Sequence, residues 1–581
     1  MGAQWASRCL PAFSTVALIV LLVLATDTAV LPWKGAHSPP SDTTRGGAPL
    51  TGAQNVFVVY TVLIHANILL FTLRLAWSFV AAPFRTQRVL EQRSSPDYSY
   101  ASRSASETSL DGPPSPTVSS GLSACEEESL MGDETTPEVI HAIILPNYSE
   151  DIDTLRMTLG VLASHPRARG QYEVYLAMEQ KEIGVTDKAL RLVSEYEKSF
   201  FRISTTFHPA GLPGEIPGKS SNVAFAARHI ANVHQVDLNE GTSNVVMTVM
   251  DADTHLLQDY FSEIRRLHYA HPADTDHTIY TCPIIFDRNS HETPILVRCA
   301  DLLWGFAGLS TMYLGSSLSI PTSVYSLPLS LAEKVGGWDS DATAIGEDMH
   351  MMLKCYFETA GNVVTRVVFV PASQCNISSD LKHGWRWTLD TCLARYRQAL
   401  RHMWGALDSG FTARQSISRL RCFNRRWLVL LPRHLLLLHL LFEAHFLPCH
   451  LVILMIYSAA YEILSPAGTL HPSMAWAFWV TGLLRASSFV GMNVCLFLYE
   501  RWHTLCLRAR HNDMLDAGLA DCGFSPRCWW HVSFLLERIC FPIAGTLYGP
   551  IPTFHAVFSH LWTDRLEYRV SKKPVFGEKC V

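Results

Sequence analysis

Asp251 and Asp253 stand one residue apart at the end of the apolar run Val245-Val-Met-Thr-Val-Met250. Two carboxylates that close repel each other, so they share a cation or a proton. Hard oxygen ligands suit Mn²⁺ or Mg²⁺, which are held by one or two carboxylates plus substrate phosphates. A solvated turn or a helix cap after a core strand would show the same two acids, so their surroundings decide between the readings. Lys219 and Asn222 lie in Pro217-Gly-Lys-Ser-Ser-Asn222 at the start of a predicted helix. A P-loop would need glycine where Pro213 stands, so that pattern fails. A lysine at a helix N-terminus still suits a diphosphate, because free backbone N–H groups and the positive dipole end are there too. Glu347 and Asp348 open another predicted helix, Met349 to Phe357. A carboxylate in that place is a general base or a charge that favours the helix end. Glu150 and Glu179 end two predicted strands and could accept from a base or ribose, or cap the helices that follow.

The elements that must position these groups alternate. Strands are expected at Val139–Pro146, Tyr172–Met178, Phe201–Phe207 and the run before Asp251. Helices are expected at Ile152–Ser164, Lys188–Glu197 and Ser221–Val233. Strand–helix alternation predicts a parallel α/β sheet with helices on both faces. Asp251 and Asp253 then end the fourth strand, at the sheet edge where such folds bind ligands.

Both chain ends are apolar. Ala12 to Leu31 reads as a signal peptide or a membrane helix, and Val56 to Ala82 is long enough to span despite Arg74. Arg85, Arg88 and Arg93 follow it and keep the middle of the chain cytosolic by the positive-inside rule. Under that assignment the sequons at Asn147 and Asn376 are not glycosylated. The Ser-, Pro- and Glu-rich tract 84–137 cannot bury enough apolar surface to fold and reads as a disordered linker. Beyond it the expected layout is a catalytic domain at 138–427, an interfacial helix with membrane helices at 428–562, and a basic cytosolic tail at 563–581. In the C-terminal part Trp427 to Leu464 is broken by charge and proline, Met474 to Tyr499 can span although it holds Arg485, and Val532 to Leu561 is interrupted at Gly549-Pro550. The net charge of -5 gives no reason to expect nucleic acid as a partner. Fifteen cysteines without a Cys-x-x-Cys pair argue against a zinc ribbon or redox motif.

Taken in order, these motifs make the stretch from Val139 to about Leu428 resemble a family-2 glycosyltransferase of the membrane-embedded type. That group includes cellulose, chitin and hyaluronan synthases and ceramide glucosyltransferase. Pro146-Asn-Tyr-Ser-Glu150 looks like its first nucleotide-binding turn, Lys219-Ser-Ser-Asn222 like its Lys-centred motif, and Asp251-Ala-Asp253 like its metal motif. Gly337-Trp-Asp339 with Glu347-Asp348 resembles its Gly-Gly-Phe-Asp and Thr-Glu-Asp pair, with Gly346 replacing the threonine. Gln398-Ala-Leu-Arg401-His402-Met403-Trp404 resembles its Gln-x-x-Arg-Trp motif, but two residues separate arginine from tryptophan. On a helix that shift is about 200° of rotation, so His402 takes the tryptophan's place and processive polymerisation comes into doubt.

The resemblance implies a GT-A, Rossmann-like catalytic domain inserted between transmembrane helices. It implies Mn²⁺ or Mg²⁺ on Asp253 and Asp251, and a nucleotide sugar, expected to be UDP-linked, held by Glu150, Glu179, Lys219, Asn222 and Asp251. Asp348 would be the general base beside Glu347. Gln398, Arg401, His402 and Trp404 would face the acceptor or the leaving diphosphate, with Arg395 and Arg397 on the same helix. The reaction would be an inverting single displacement onto a glycan or lipid acceptor among membrane lipids. The alternative is a catalytically inactive relative serving as scaffold or partner subunit; Asp251, Asp253, Asp348 and Arg401 together count against it. A transporter would leave the large soluble middle without a role.

Overall fold

A computed structural model describes residues 2–26, 49–92, 138–216, 218–241, 243–381, 383–421, 425–465, 470–519 and 532–566. Residues 93–137 of the linker and most of the basic tail lie outside the described residues, whereas residues 84–92, expected to be disordered linker, continue the helix that ends at Gln92. Nine strands are described: β1 (Ile140–Asn147), β2 (Tyr172–Glu179), β3 (Arg202–His208), β4 (Val245–Val249), β5 (Thr278–Thr281), β6 (Ile284–Phe286), β7 (Tyr325–Pro328), β8 (Val364–Val367) and β9 (Ala372–Gln374). Ten helices carry the argument: α1 (Gly52–Gln92), α2 (Lys219–Val233), α3 (Ile295–Leu309), α4 (Glu347–Glu358), α5 (Trp385–Met403), α6 (Leu407–Arg421), α7 (Arg425–His445), α8 (Leu447–Leu464), α9 (Pro472–Asp516) and α10 (Val532–Tyr548).

The main sheet has the order β3-β2-β1-β4-β7-β5-β8, and β6 pairs with β9 apart from it. The expected all-parallel sheet is corrected to a mixed one. β3, β2, β1 and β4 run parallel, but β7 pairs antiparallel with both β4 and β5, and β8 runs parallel to β5. A parallel neighbour requires a long crossover, whereas β7 returns beside β4 in the opposite sense and so needs none. The central strands β1 and β4 are apolar runs because both faces are covered. Val245, Met247 and Val249 of β4 pack on one side with α2, α4 and Leu437, Leu440 and Leu441 of α7. Val246 and Met250 pack on the other with Leu155, Tyr260 and Phe261.

Among the described residues, three helices are long and apolar enough to cross a membrane: α1, α8 and α9. Gly2–Arg8 and Leu10–Ala25, bent by 63°, would make a fourth if counted as one span. Helices α1 and α9 join the catalytic domain through a shared core of Leu75, Phe79, Phe306, Tyr499 and Trp502. Thr86 locks that joint. It donates to the Phe369 carbonyl at 2.7 Å and accepts from the Trp502 indole at 3.1 Å. The apolar region at 532–561 breaks at Gly549, between α10 and the short Pro550–Ser559 helix.

One turn before α4 depends on glycine. Gly336 and Gly337 have φ of +80° and +70°, consecutive left-handed residues that aim Trp338 and Asp339 inward. A Cβ at Gly337 would meet no atom within 4 Å, so the cost of adding one is purely conformational. Gly337→Ala is expected to destabilise the chain by about 1–2 kcal/mol, read as a lowered melting temperature of the detergent-solubilised protein.

Candidate active site

The reversal of β7 assembles the site. Its register with β4 pairs Val249 with Tyr325. Two residues further along each strand, Asp251 comes opposite Ser323. Ser323 is held at φ +55°, a conformation uncommon outside glycine. Its backbone serves two partners at once. The N–H donates to Asp348 Oδ2 at 2.7 Å, and the carbonyl accepts from Lys219 Nζ at 3.3 Å. Asp348 Oδ1 accepts from the Met349 N–H at 2.8 Å, so both carboxylate oxygens are fixed by backbone donors.

Lys219, the first residue of α2, bridges the two acid motifs. Its Nζ lies 2.8 Å from Asp251 Oδ1 and 3.0 Å from Glu347 Oε1. Burial alone would lower its pKa, but Asp251, Glu347 and Asp348 overcome that and hold it well above the usual lysine value. Glu347 is buried, and burial pushes its carboxyl up to about 7 while Lys219 pulls against the shift. Asp251 also accepts from Gln374 Nε2 at 3.2 Å. Asp253 is buried; its Oδ2 accepts from the Cys375 N–H at 3.0 Å and its carbonyl from Arg288 at 2.6 Å. Gln374 and Cys375 come from the end of β9, which sequence reading passed over because no local pattern marks them.

The residues expected to hold the nucleotide, Glu150, Glu179 and Asn222, lie near the ends of β1 and β2 and the start of α2. Glu150 Oε2 accepts from the Tyr148 N–H at 2.5 Å. Burial pushes Glu150 up to about 7, with the Tyr148 N–H and Lys188 opposing. Glu179 pairs with His208 at 3.2 Å, and Asn222 Nδ2 donates to the Ala177 carbonyl at 2.7 Å. Both sequon asparagines, Asn147 and Asn376, are buried.

Of the residues expected to face the acceptor, Gln398, Arg401 and His402 of α5 line the same cavity as Asp251, Asp253, Lys219 and Asp348. Trp404 is not brought there. Helix α5 ends at Met403, and the Trp404 indole is buried, donating to the Asp564 carbonyl at 3.2 Å and meeting His560 edge-on. An indole reaches the cavity from elsewhere, because Trp304 of α3 lines it and stacks on His402 at 4.2 Å. Arg395 is engaged in a buried pair with Asp301 at 2.7 Å, which holds its guanidinium against α3. Sequence reading also missed His350, one turn into α4. It bridges Asp408 of α6 at 2.6 Å and Asp339 at 3.1 Å. Burial opposes its charge, but Asp408 and Asp339 raise it to about 9, so it is cationic at neutral pH and ties α4 to α6.

Asp251 and Asp253 fit a divalent cation. Their carboxylates line one cavity, and the acids Asp251, Glu347 and Asp348 outnumber the lysine among them. Among the described residues no group of three or more His, Cys, Asp or Glu could hold an ion unaided.

The comparisons with known proteins bear on the same stretch. The family model "Glycosyl transferase family group 2" matches residues 246–484, from β4 into α9. That span contains Asp251, Asp253, Glu347, Asp348, Gln398 and Arg401. No curated protein matches the chain. Among solved structures it is similar to the mannosyltransferase PcManGT from Pyrobaculum calidifontis in complex with GDP-Man and Mn²⁺. The likeness is 13% identity with a TM-score of 0.36, covering 73% of this chain and 99% of that one. On the family match the chain is a glycosyltransferase, and it carries helices long and apolar enough to cross a membrane.

Proposed function

We propose that the chain transfers a sugar, with inversion, from a nucleotide-diphosphate sugar of the UDP type to an acceptor hydroxyl at the cytosolic face of a membrane. The observation that carries this reading is the single cavity that brings Lys219, Asp251, Asp253 and Asp348 together through Ser323. Glu150, Glu179 and Asn222 hold the nucleoside end. Lys219, at a helix N-terminus, faces the diphosphate with free backbone N–H groups beside it. Asp251 and Asp253 hold Mn²⁺ or Mg²⁺, which when bound offsets the charge on the departing diphosphate.

Asp348 is the general base. Two backbone N–H groups fix its carboxylate, and each oxygen keeps a lone pair for an acceptor hydroxyl. The hydroxyl oxygen attacks the anomeric carbon from the side opposite the leaving diphosphate, and its proton passes to Asp348. Arg401 and Gln398 orient the acceptor or the leaving group from α5. Glu347 holds Lys219 in place.

The test is nucleotide-diphosphate release by detergent-solubilised protein given radiolabelled UDP- and GDP-sugars and membrane lipid, with Mn²⁺, Mg²⁺ or EDTA. Release with a UDP-sugar that EDTA abolishes is the expected result. Release only with GDP-sugars would overturn the donor assignment, and full activity in EDTA would overturn the metal role of Asp251 and Asp253.

A further inference from the structure

The cavity that holds Asp251, Asp253 and Asp348 does not end at the catalytic domain. It is one space of about 650 Å³ whose far wall is made by Phe71 of α1, Leu447, Leu451 and Met455 of α8, and Met492 of α9. Among the described residues, those three helices are long and apolar enough to cross a membrane. Met455 lines the cavity and is 40% exposed. Pro542 and Thr546 of α10 line it too and are likewise exposed. These exposed wall residues on α8 and α10 mark where a side entrance to the cavity would lie.

We propose that this extension holds the hydrocarbon tail of a membrane lipid whose hydroxyl head is the acceptor. The inference rests on the glycosyl-transfer reading above and names its acceptor class. A glycan threaded past these helices would bring several hydroxyls per sugar, each needing a hydrogen-bond partner once out of water. The wall offers few. Glu443 of α7 faces the cavity but is paired with Arg74, and His445 is bonded to Ser409 Oγ at 2.8 Å. The Thr546 hydroxyl donates to the Pro542 carbonyl at 3.0 Å. A lipid tail needs no partner and gains by covering the same leucine and methionine side chains. A side entrance there would admit it from the bilayer without bringing its tail through water.

The chemistry of the head follows from Asp348. A neutral hydroxyl needs a base, whereas a lipid phosphate already carries the charge to attack. In the step the hydroxyl oxygen bonds to the anomeric carbon while the bond from that carbon to the diphosphate oxygen breaks. The proton goes to Asp348, and the electron pair leaves with the nucleoside diphosphate.

The test uses the full chain in phosphatidylcholine nanodiscs, with and without diacylglycerol, ceramide or sterol, and a radiolabelled donor. Both nucleotide release and the partition of label between butanol and water are measured. Label in butanol, matching nucleotide release and requiring one of the hydroxyl lipids, is the expected result. Leu451→Trp, which fills the extension, should raise the apparent KM for the lipid by about tenfold and leave the donor KM within about twofold. Leu451→Met should restore the lipid KM. Label in a water-soluble polymer, label on an added polyprenyl phosphate alone, or an unchanged lipid KM in Leu451→Trp would each overturn the inference while transfer itself stood. Absence of nucleotide release under every condition would instead strike at the glycosyl-transfer reading, and the inference would fall with it.

Discussion

Asp348→Asn is expected to lower kcat for sugar transfer by about 10²–10⁴-fold, the range general-base removal typically gives, with the donor KM nearly unchanged. The side chain keeps its size, so the cavity keeps its shape. An amide cannot take the acceptor proton, and its NH₂ would face one of the two backbone N–H groups of Ser323 and Met349 that now donate to carboxylate oxygens. Lys219 keeps its closest partners, Asp251 and Glu347, so the donor side is little disturbed. The neighbouring acid provides the contrast. Burial already pushes Glu347 up to about 7, so near neutral pH much of it is uncharged before any substitution. Glu347→Gln should therefore cost less than tenfold in kcat, roughly the loss of one charge-assisted hydrogen bond. The measurement is kcat and KM for each variant from nucleotide release and label transfer together. If Glu347→Gln proves the more damaging of the two, the base is Glu347.

How far the site could be read from the sequence depended on where each residue's partners lie. Asp251, Lys219 and Asp348 sit at the ends of a strand and two helices, and those ends show in local pattern. The run Val245–Met250 stops abruptly, and an apolar helical period starts just after Asp348. Element order was legible for the same reason through β4, with boundaries off by at most three residues. What joins the three motifs was not. The direction of β7 follows from pairing with β4 over a gap of some eighty residues, and Ile320-Pro-Thr-Ser-Val-Tyr325 carries no mark of it. A strand of four residues has too short a period to announce itself, so the sheet was expected to be parallel throughout.

The acceptor side shows the same limit. Trp404, expected among the acceptor-side residues although its spacing from Arg401 departs from the family pattern, lies beyond the end of α5 with its indole buried against Asp564 and His560. Nothing near residue 401 indicates that Trp304 of α3 stacks on His402. Arg395 shares a helix with Arg401 and reads equally well as a diphosphate ligand until Asp301, 94 positions away, is seen to hold it. His350 was legible as a helix residue only, since its partner Asp408 lies 58 positions on. Motifs reveal residues whose role is set by their own element, whereas ion pairs and stacks between distant elements appear only in the fold.

Lys219→Met is expected to destabilise the chain most strongly at alkaline pH. Lys219 stands between Asp251 and Glu347, and removing one partner of a buried ionic cluster typically costs about 3–5 kcal/mol because the remaining charge has no counter-ion. The sign of the pH dependence follows from Glu347. Its folded pKa of about 7 lies above the ordinary glutamate value of 4.5, so the folded state holds the proton more tightly than the unfolded chain does. Stability is therefore greatest below 4.5 as far as this group is concerned, and falls as pH rises toward 7, by about 3 kcal/mol over that interval. In the wild-type chain Lys219 limits the fall. Without it Glu347 is raised further, and the loss continues to higher pH. At pH 5 Glu347 is protonated in both proteins and only Asp251 loses its ion-pair partner, so the difference in melting temperature should be smallest there. By pH 8.5 it should widen to several degrees. Lys219→Arg, which keeps the charge, should show a smaller gap with the same pH trend. A melting-temperature series from pH 5 to 8.5 decides the matter. A gap of constant size would mean that Lys219 contributes packing rather than charge, and the ionic link between the Asp251 strand and the Asp348 helix would lose its part in holding the site together.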